Sequence, residues 1–207
     1  MTKGLKICGV CDPTTLDYIL SHPNPPNFLG FITNYKKSKR YIKYEKLKKL
    51  IKVDRKNIKF TSVLVNPTNE ILEKIKDLDF DYYQLYDVSP ERTKEIKFKY
   101  KVKIITAITI SEKADVIKYK DYLKISEIIL FDSKGYHKSE SFDHSFLDKV
   151  PKKLNKMIAG NIQIEDIPDL KNKDFIIDLS GSLENVNGKK DINKIDKLLN
   201  LYAKYED

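Results

Sequence analysis

The chain has 207 residues, 41% of them hydrophobic, and a formal net charge of +9 at pH 7. This length and composition allow one substantial core, so we expect one domain over residues 1–207. No stretch approaches the roughly 18 consecutive apolar residues of a membrane helix, and residues 1–4 lead into a strand without a signal-peptide core. We therefore expect a cytoplasmic protein with no membrane partner.

The basic surplus is mainly lysine, because only Arg40, Arg55 and Arg92 are arginine. The lysines are spread over the predicted helices and interleaved with acidic residues, which is typical of a solvated outer surface. Clustered arginine would indicate phosphate or base recognition more strongly than dispersed lysine does. A nucleic acid is therefore not expected as a partner, and a basic nucleic-acid-binding α/β protein is the least favoured alternative.

Apolar runs alternate with amphipathic stretches from one end of the chain to the other. Read in chain order, the apolar runs predict strands over 5–11, 28–34, 59–66, 82–87, 102–110, 127–133, 156–161 and 175–180. The amphipathic stretches predict helices over 14–21, 44–53, 69–78, 90–100, 112–124, 142–150, 164–170 and 191–205. Eight βα units in a chain of this length predict an α/β protein with a single (β/α)8 TIM barrel. An open, doubly wound sheet is the alternative.

Two residues with useful chemistry stand near the ends of predicted strands. Cys8 lies in the first strand and Asp132 in the sixth, each just before a turn. In parallel βα proteins the catalytic groups collect at the carboxyl ends of the strands, so this thiol and carboxyl group are a candidate base and acid. The competing interpretations are a small packed thiol for Cys8 and a turn-capping carboxylate for Asp132.

Cys8 and Cys11 also form a Cys-x-x-Cys motif. A redox motif needs its first cysteine at a helix start, whereas Cys8 is predicted to be on a strand. A zinc site needs further ligands at suitable spacing, and His22, His137 and His144 are scattered. The motif stands alone, so we expect neither a redox function nor a bound metal.

The few glycines favour an anion site at the same end of the predicted barrel. Beyond Gly4 and Gly30, all of them lie at or just after predicted strands 1, 6, 7 and 8, namely Gly9, Gly135, Gly160, Gly181 and Gly188. Missing side chains there let backbone N–H groups approach an anion, and the loops after strands 7 and 8 often bind phosphate in this architecture. Ordinary turn geometry is the alternative for each glycine.

Several short motifs occur in an order that identifies a family. Lys6-Ile7-Cys8-Gly9 resembles the first strand of phosphoribosylanthranilate isomerase, and Lys37-Ser38-Lys39-Arg40-Tyr41 resembles the loop after its second strand. Leu130-Phe131-Asp132-Ser133 resembles its sixth strand, and the runs 159–161, 178–184 and 188–191 resemble its last two loops. The similarity extends in order along nearly the whole chain.

This resemblance implies an enzyme of tryptophan biosynthesis that performs an Amadori rearrangement on a small phosphorylated substrate without a metal or organic cofactor. It implies that Cys8 is the general base and Asp132 the general acid. Arg40 matches the arginine that pairs with the anthranilate carboxylate, and Asp178 matches a position near the ribose hydroxyls. The candidates for holding the phosphate are Gly160, Ser180, Gly181 and Ser182.

The chain departs from the family pattern at several positions. Tyr86 stands where the family usually has histidine, and residues 134–141 contain one glycine where a glycine-rich loop is usual. The Ser180-Gly181-Ser182 order also permutes the family's Ser-Ser-Gly. These departures leave a second hypothesis, a phosphosugar-binding barrel that has lost efficient turnover. The sequence leaves open whether the chain is a monomer or a homodimer.

Overall fold

A computed structural model describes residues 3–133, 141–170 and 173–204. Its strands form a closed parallel barrel in which each strand pairs with the next and the last pairs with the first. The strands are β1 (Gly4–Cys8), β2 (Phe28–Ile32), β3 (Lys59–Val65), β4 (Tyr82–Tyr86), β5 (Lys103–Ile110), β6 (Ile128–Ser133), β7 (Lys156–Ile158) and β8 (Ile176–Leu179). The predicted (β/α)8 TIM barrel is therefore confirmed, and the open sheet is wrong.

Helices follow the strands on the outside of the barrel. The α-helices are α1 (Pro13–Ser21), α2 (Tyr44–Leu50), α3 (Asn69–Ile75), α4 (Pro90–Tyr100), α5 (Ile167–Leu170) and α6 (Ile192–Ala203). Asp12 caps α1 and Ser89 caps α4, each with a proline at the next position, where proline is favoured. Within the described residues, no helix combines the length and the apolar character that crossing a membrane requires.

Alternation along each strand decides which side chains face the barrel interior. On β1, Leu5 and Ile7 pack outward into the layer between strands and helices, so Lys6 and Cys8 face inward. On β6, Ile129 packs in that outer layer, while Leu130 packs with the side chains inside the barrel. Because the inner positions of eight strands converge, polar residues at their carboxyl ends are placed around one mouth.

Two segments predicted as α-helices are 3-10 helices instead, and the helix predicted over 164–170 begins with a 3-10 turn, Ile164–Asp166, before α5. Lys113–Tyr122 follows β5, and its buried residues are Val116 and Tyr119, three positions apart. A three-residue spacing matches the 3-10 period, and no second row of apolar residues favours the wider α-helical turn. His144–Leu147 is a single 3-10 turn capped by Asp143, so the helix predicted over 142–150 is also wrong in type and length.

Left-handed residues end four strands earlier than predicted: β3 and β4 by one residue, at Asn66 and Asp87, and β1 and β7 by three residues. Gly9 has a φ of +82°, directly after β1, so that strand ends at Cys8 and not at residue 11. Gly160 and Asn161 have φ values of +103° and +53° and follow β7, which covers three residues where the prediction gave 156–161. These backbones turn away from the sheet at the barrel mouth. Gly135, the rest of 134–140, and the end of the predicted helix at Tyr205 lie outside the described residues.

Candidate active site

One cavity of about 330 Å³ opens at the carboxyl ends of the strands. Inner-face residues and three loops supply its lining. All of the site residues predicted from the sequence line it, namely Cys8, Arg40, Asp132, Gly160, Asp178, Ser180, Gly181 and Ser182. The structure thus brings together residues that are up to 174 positions apart, Cys8 to Ser182 (182 − 8 = 174).

Cys8 is the last residue of β1 and is 8% exposed. Gly30 is its partner on β2, and a Cβ atom there would lie 2.7 Å from the Cys8 sulfur. Glycine at position 30 therefore leaves the space that the thiol occupies. Burial raises the pKa of the Cys8 thiol, and the neighbouring Lys6 ammonium opposes that increase.

Lys6 lies two residues before Cys8 and is fully buried. Its Nζ atom is 2.6 Å from Oδ2 of Asp178, and it also interacts with the Cys8 sulfur. Burial alone would lower the pKa of Lys6, but Asp178 and Cys8 together outweigh burial and the pKa is raised. Lys6 therefore stays charged and places a cation beside the thiol.

Asp178 offers one oxygen to the cavity. Oδ2 accepts from Lys6, whereas Oδ1 is buried and has no hydrogen-bond partner among the described residues. A buried acceptor without a partner is costly unless a ligand or water supplies a donor.

Asp132 stands on β6, which β7 and β8 separate from β1 around the barrel. Burial raises the pKa of its carboxyl group from 3.8 to about 6, even though the Tyr86 hydroxyl donates a 2.7 Å hydrogen bond to Oδ2 and opposes the shift. A carboxyl group with this pKa retains its proton at mildly acidic pH. The site therefore contains a thiol and a carboxyl group that can both carry protons near neutrality.

Arg40 reaches the cavity from the loop after β2. Its stem crosses Gly9, where any side chain would overlap the arginine methylenes. Its guanidinium donates to both oxygens of Glu184, through Nε to Oε1 and through Nη2 to Oε2 at 3.0 Å. Lys190 also contacts Glu184, at 3.3 Å, and donates to the Ser180 carbonyl oxygen at 2.8 Å. This cluster ties the loop after β2 to the loop after β8.

The loop after β8 supplies small and hydroxyl-bearing groups. Ser180 donates through Oγ to the Cys8 carbonyl oxygen at 3.0 Å, which fixes the loop against the end of β1. Ser182 Oγ is buried and has no partner in the part of the chain that the structure describes. A buried hydroxyl that lines the cavity in this way is available to a bound ligand.

Gly160 is required by its backbone and by its surroundings. A Cβ atom there would lie 2.5 Å from Ser133 Oγ, at a φ of +103°. We expect Gly160→Ala to lower the free energy of unfolding by about 1–3 kcal/mol. Gly188→Ala is the matched control, because its φ is also positive but its nearest contact is a flexible lysine stem at 3.3 Å. Urea denaturation measures both, and equal losses would contradict a requirement set by Ser133.

Sequence reasoning missed three residues of the site. Lys6, Glu184 and Lys190 carry the charges around Cys8 and Arg40. Lys6 had an available signal, because a lysine in the middle of a buried strand demands a partner, and its spacing from Cys8 places both on one face. Glu184 and Lys190 lie in a loop, where no periodicity indicates which side chains converge.

Both cysteines are free thiols, Cys8 buried and Cys11 half-buried. Across residues 3–133, 141–170 and 173–204, no group of three or more His, Cys, Asp or Glu side chains is arranged to hold a metal ion.

Comparison with known proteins decides the family. The family model described as N-(5'-phosphoribosyl)anthranilate (PRA) isomerase matches residues 5–201. A relative of that name from Agrobacterium fabrum is 31% identical over 207 residues, covering 95% of this chain and 93% of the relative. The chain belongs to the N-(5'-phosphoribosyl)anthranilate isomerase family. The predictions of this family, of an isomerase and of a function in tryptophan biosynthesis are therefore confirmed.

Solved structures of phosphoribosylanthranilate isomerases share the fold. The Thermotoga maritima enzyme has a TM-score of 0.84 at 23% identity, over 97% of this chain and 98% of that one. Another, solved in complex with reduced 1-(o-carboxyphenylamino)-1-deoxyribulose 5-phosphate, has a TM-score of 0.82 at 22% identity, with the same coverage of both chains. The barrel of this chain is thus the barrel of the isomerase family.

Proposed function

We propose that the chain converts N-(5'-phosphoribosyl)anthranilate into 1-(2-carboxyphenylamino)-1-deoxyribulose 5-phosphate by acid–base catalysis, with Asp132 as the acid and Cys8 as the base. One observation carries these roles: a buried thiol and a carboxyl group with a raised pKa line the same cavity. Perturbed titratable groups in one cleft are typical of catalytic sites. Family membership supports the substrate, and the relative solved with the reduced phosphorylated compound supports its class.

The first step opens the furanose ring. Asp132 donates its proton to the ring oxygen as the C1–O bond breaks, and the anthranilate nitrogen forms a protonated Schiff base with C1. A carboxyl group of pKa about 6 is suited to this step, because it is protonated to a larger extent near neutral pH than an ordinary aspartate and still releases its proton readily.

The second step removes the proton from C2. The Schiff base makes this proton acidic, and the Cys8 thiolate accepts it to give an enamine. Burial favours the thiol form of Cys8, and the Lys6 ammonium beside the sulfur opposes this effect by stabilising the thiolate. The enamine then gains a proton at C1 and its C2 hydroxyl loses one, so the reaction is a net isomerisation.

The remaining predicted residues suit the two anionic ends and the hydroxyls of the substrate. The loops that contain Gly160 and 180–182 offer backbone N–H groups and a hydroxyl for the phosphate. Oδ1 of Asp178 is placed to accept from a ribose hydroxyl. The Arg40 fork, shared with Glu184, is suited to the anthranilate carboxylate.

We expect Arg40→Ala to raise KM by on the order of tenfold or more while kcat changes much less, because the guanidinium binds the substrate and takes no part in proton transfer. Steady-state kinetics with freshly prepared phosphoribosylanthranilate measure both constants. Arg55→Ala is the control, since Arg55 pairs with Asp79 and Asp81 outside the cavity and is expected to leave KM unchanged. A normal KM in Arg40→Ala would contradict the assigned subsite.

Complementation of a tryptophan auxotroph that lacks this isomerase tests the function directly. Purified protein is expected to consume phosphoribosylanthranilate, seen as loss of its fluorescence. The alternative of a non-catalytic phosphosugar-binding barrel predicts that wild type and Cys8→Ala are equally inert while the reduced product analogue still binds.

The monomer-or-homodimer prediction is checked by sedimentation, and one relative's structure shows monomers derived from a dimeric Thermotoga maritima enzyme.

A further inference from the structure

Tyr86 connects the carboxyl group of Asp132 to the interior of the barrel. It is the last residue of β4 and is 8% exposed. Its hydroxyl lies 2.7 Å from Oδ2 of Asp132 and 3.1 Å from Nε2 of Gln84, which stands two residues earlier on the same inner face. Gln84 is fully buried. The three side chains form a short hydrogen-bonded row that ends at the proposed acid.

The direction of these hydrogen bonds is fixed by the groups involved. The Gln84 amide nitrogen is a donor only, so the Tyr86 oxygen accepts from it and directs its single proton to Asp132. Burial, together with the charges of Asp132, Cys8 and Asp178, raises the pKa of the Tyr86 phenol well above its usual value. The Tyr86 phenol therefore remains protonated near neutral pH and acts only as a hydrogen-bond donor to Asp132.

We propose that Tyr86 is a positioning residue that orients the Asp132 carboxyl group and governs how readily it releases its proton. The proposal rests on the role of Asp132 in the proposed function. A phenol in this place differs from the histidine that is usual in the family, because an imidazole titrates near neutral pH and a phenol does not. In this chain, therefore, no second group on β4 that titrates near neutral pH is coupled to the ionisation of Asp132.

Other charged groups act on Asp132 and remain when Tyr86 is changed. Lys6 acts on it from β1 and Asp178 from β8, while the backbone N–H of Ser133 donates to it. Of these contacts, only the Tyr86 hydroxyl is removed by a single-atom substitution that leaves the ring in place. The effect of that oxygen on Asp132 is therefore separable by experiment.

The test replaces Tyr86 with phenylalanine and titrates Asp132 by carbon-13 NMR of protein labelled at the aspartate carboxyl groups. Asp132→Asn assigns the signal. Loss of a donor to the carboxylate is expected to raise the pKa of Asp132 by about one pH unit. The apparent pKa of the alkaline limb in the profile of kcat against pH is expected to rise by the same amount. The maximal kcat is expected to be several-fold lower, and KM little changed.

Two further proteins sharpen the test. Tyr83→Phe is the control, because Tyr83 is a neighbouring buried tyrosine of β4 that packs in the outer layer, and no shift is expected. Placing 3-fluorotyrosine at position 86 keeps the ring and strengthens the donor. It is expected to move the pKa of Asp132 downward, opposite to Tyr86→Phe, and so it tests the proposal even if Tyr86→Phe fails to fold.

The outcomes separate this proposal from the proposed function. An Asp132 titration that is the same in wild type and in both Tyr86 variants overturns the proposal, whatever the activity. A titration that shifts as expected while the kcat profile stays in place supports the link between Tyr86 and Asp132 and overturns the assignment of Asp132 as the acid. Parallel shifts support both.

Discussion

Replacing Cys8 with serine is expected to lower kcat by a factor on the order of 10² or more. A serine hydroxyl has a far higher pKa than a thiol, so it supplies almost no anion to remove the C2 proton. The Lys6 ammonium would remain in place, because its ion pair with Asp178 at 2.6 Å does not involve Cys8. The loss is therefore expected in kcat, which steady-state kinetics measure by following the loss of substrate fluorescence.

Cys11→Ser provides the matched control for this variant. Cys11 is the second cysteine of the chain, is half-buried, and is not among the residues that line the cavity. We expect it to retain full activity, while Cys8→Ser still binds the reduced product analogue. A Cys8→Ser protein that turns over at the wild-type rate would remove Cys8 from the mechanism.

The barrel and the location of its mouth could be predicted because both depend on local patterns. Cys8 ends an apolar run on β1 and Asp132 lies near the end of another on β6, and parallel strands bring such ends to one side of a sheet. The step from separate strands to one cavity needs only the strand order. The chain follows the sequential order that short βα connections favour.

Helix type and strand length could not be predicted at the same level. The segment after β5 has enough apolar residues for an α-helix, but those that pack in the outer layer are Val116 and Tyr119, with Tyr122 partly buried, and their three-residue spacing matches the 3-10 form. The end of β7 depends on left-handed backbones at Gly160 and Asn161. Asparagine adopts that conformation only in some contexts, so its identity alone does not end a strand.

The polar partners within the site could not be predicted from the sequence, for a different reason. Lys6 and Asp178 are 172 positions apart, and Arg40 and Glu184 are 144 apart. Each pair depends on side-chain length and on the loop path at the mouth, which no periodic pattern encodes. The resemblance to the isomerase family pointed to Arg40 but not to the carboxylate that shares its guanidinium.

Replacing Asp132 with asparagine is expected to lower kcat by a factor on the order of 10² or more, because the amide supplies no acidic proton for ring opening. Asparagine keeps the size of the side chain and retains an oxygen that accepts from Tyr86, so the cavity is expected to keep its shape. KM is expected to change little. Kinetics at pH 5–9 test the assignment, and a fully active Asp132→Asn protein would overturn it.

The same variant is expected to be more stable than the wild type at neutral and alkaline pH. The pKa of Asp132 is about 6 in the folded chain against 3.8 for the unperturbed group, so the folded state binds this proton more tightly than the unfolded state does. Stability therefore falls as pH rises from about 4 through 6, and the full cost of ionisation, at most about 3 kcal/mol, is present above pH 7. Asparagine never ionises and avoids this cost.

Urea denaturation of both proteins at pH 4 and pH 8 measures the difference, which is expected to be near zero at pH 4 and to favour the variant at pH 8. Equal stabilities at pH 8 would mean that the folded protein does not oppose ionisation of this carboxyl group, and that the acid is not held in its protonated form by burial.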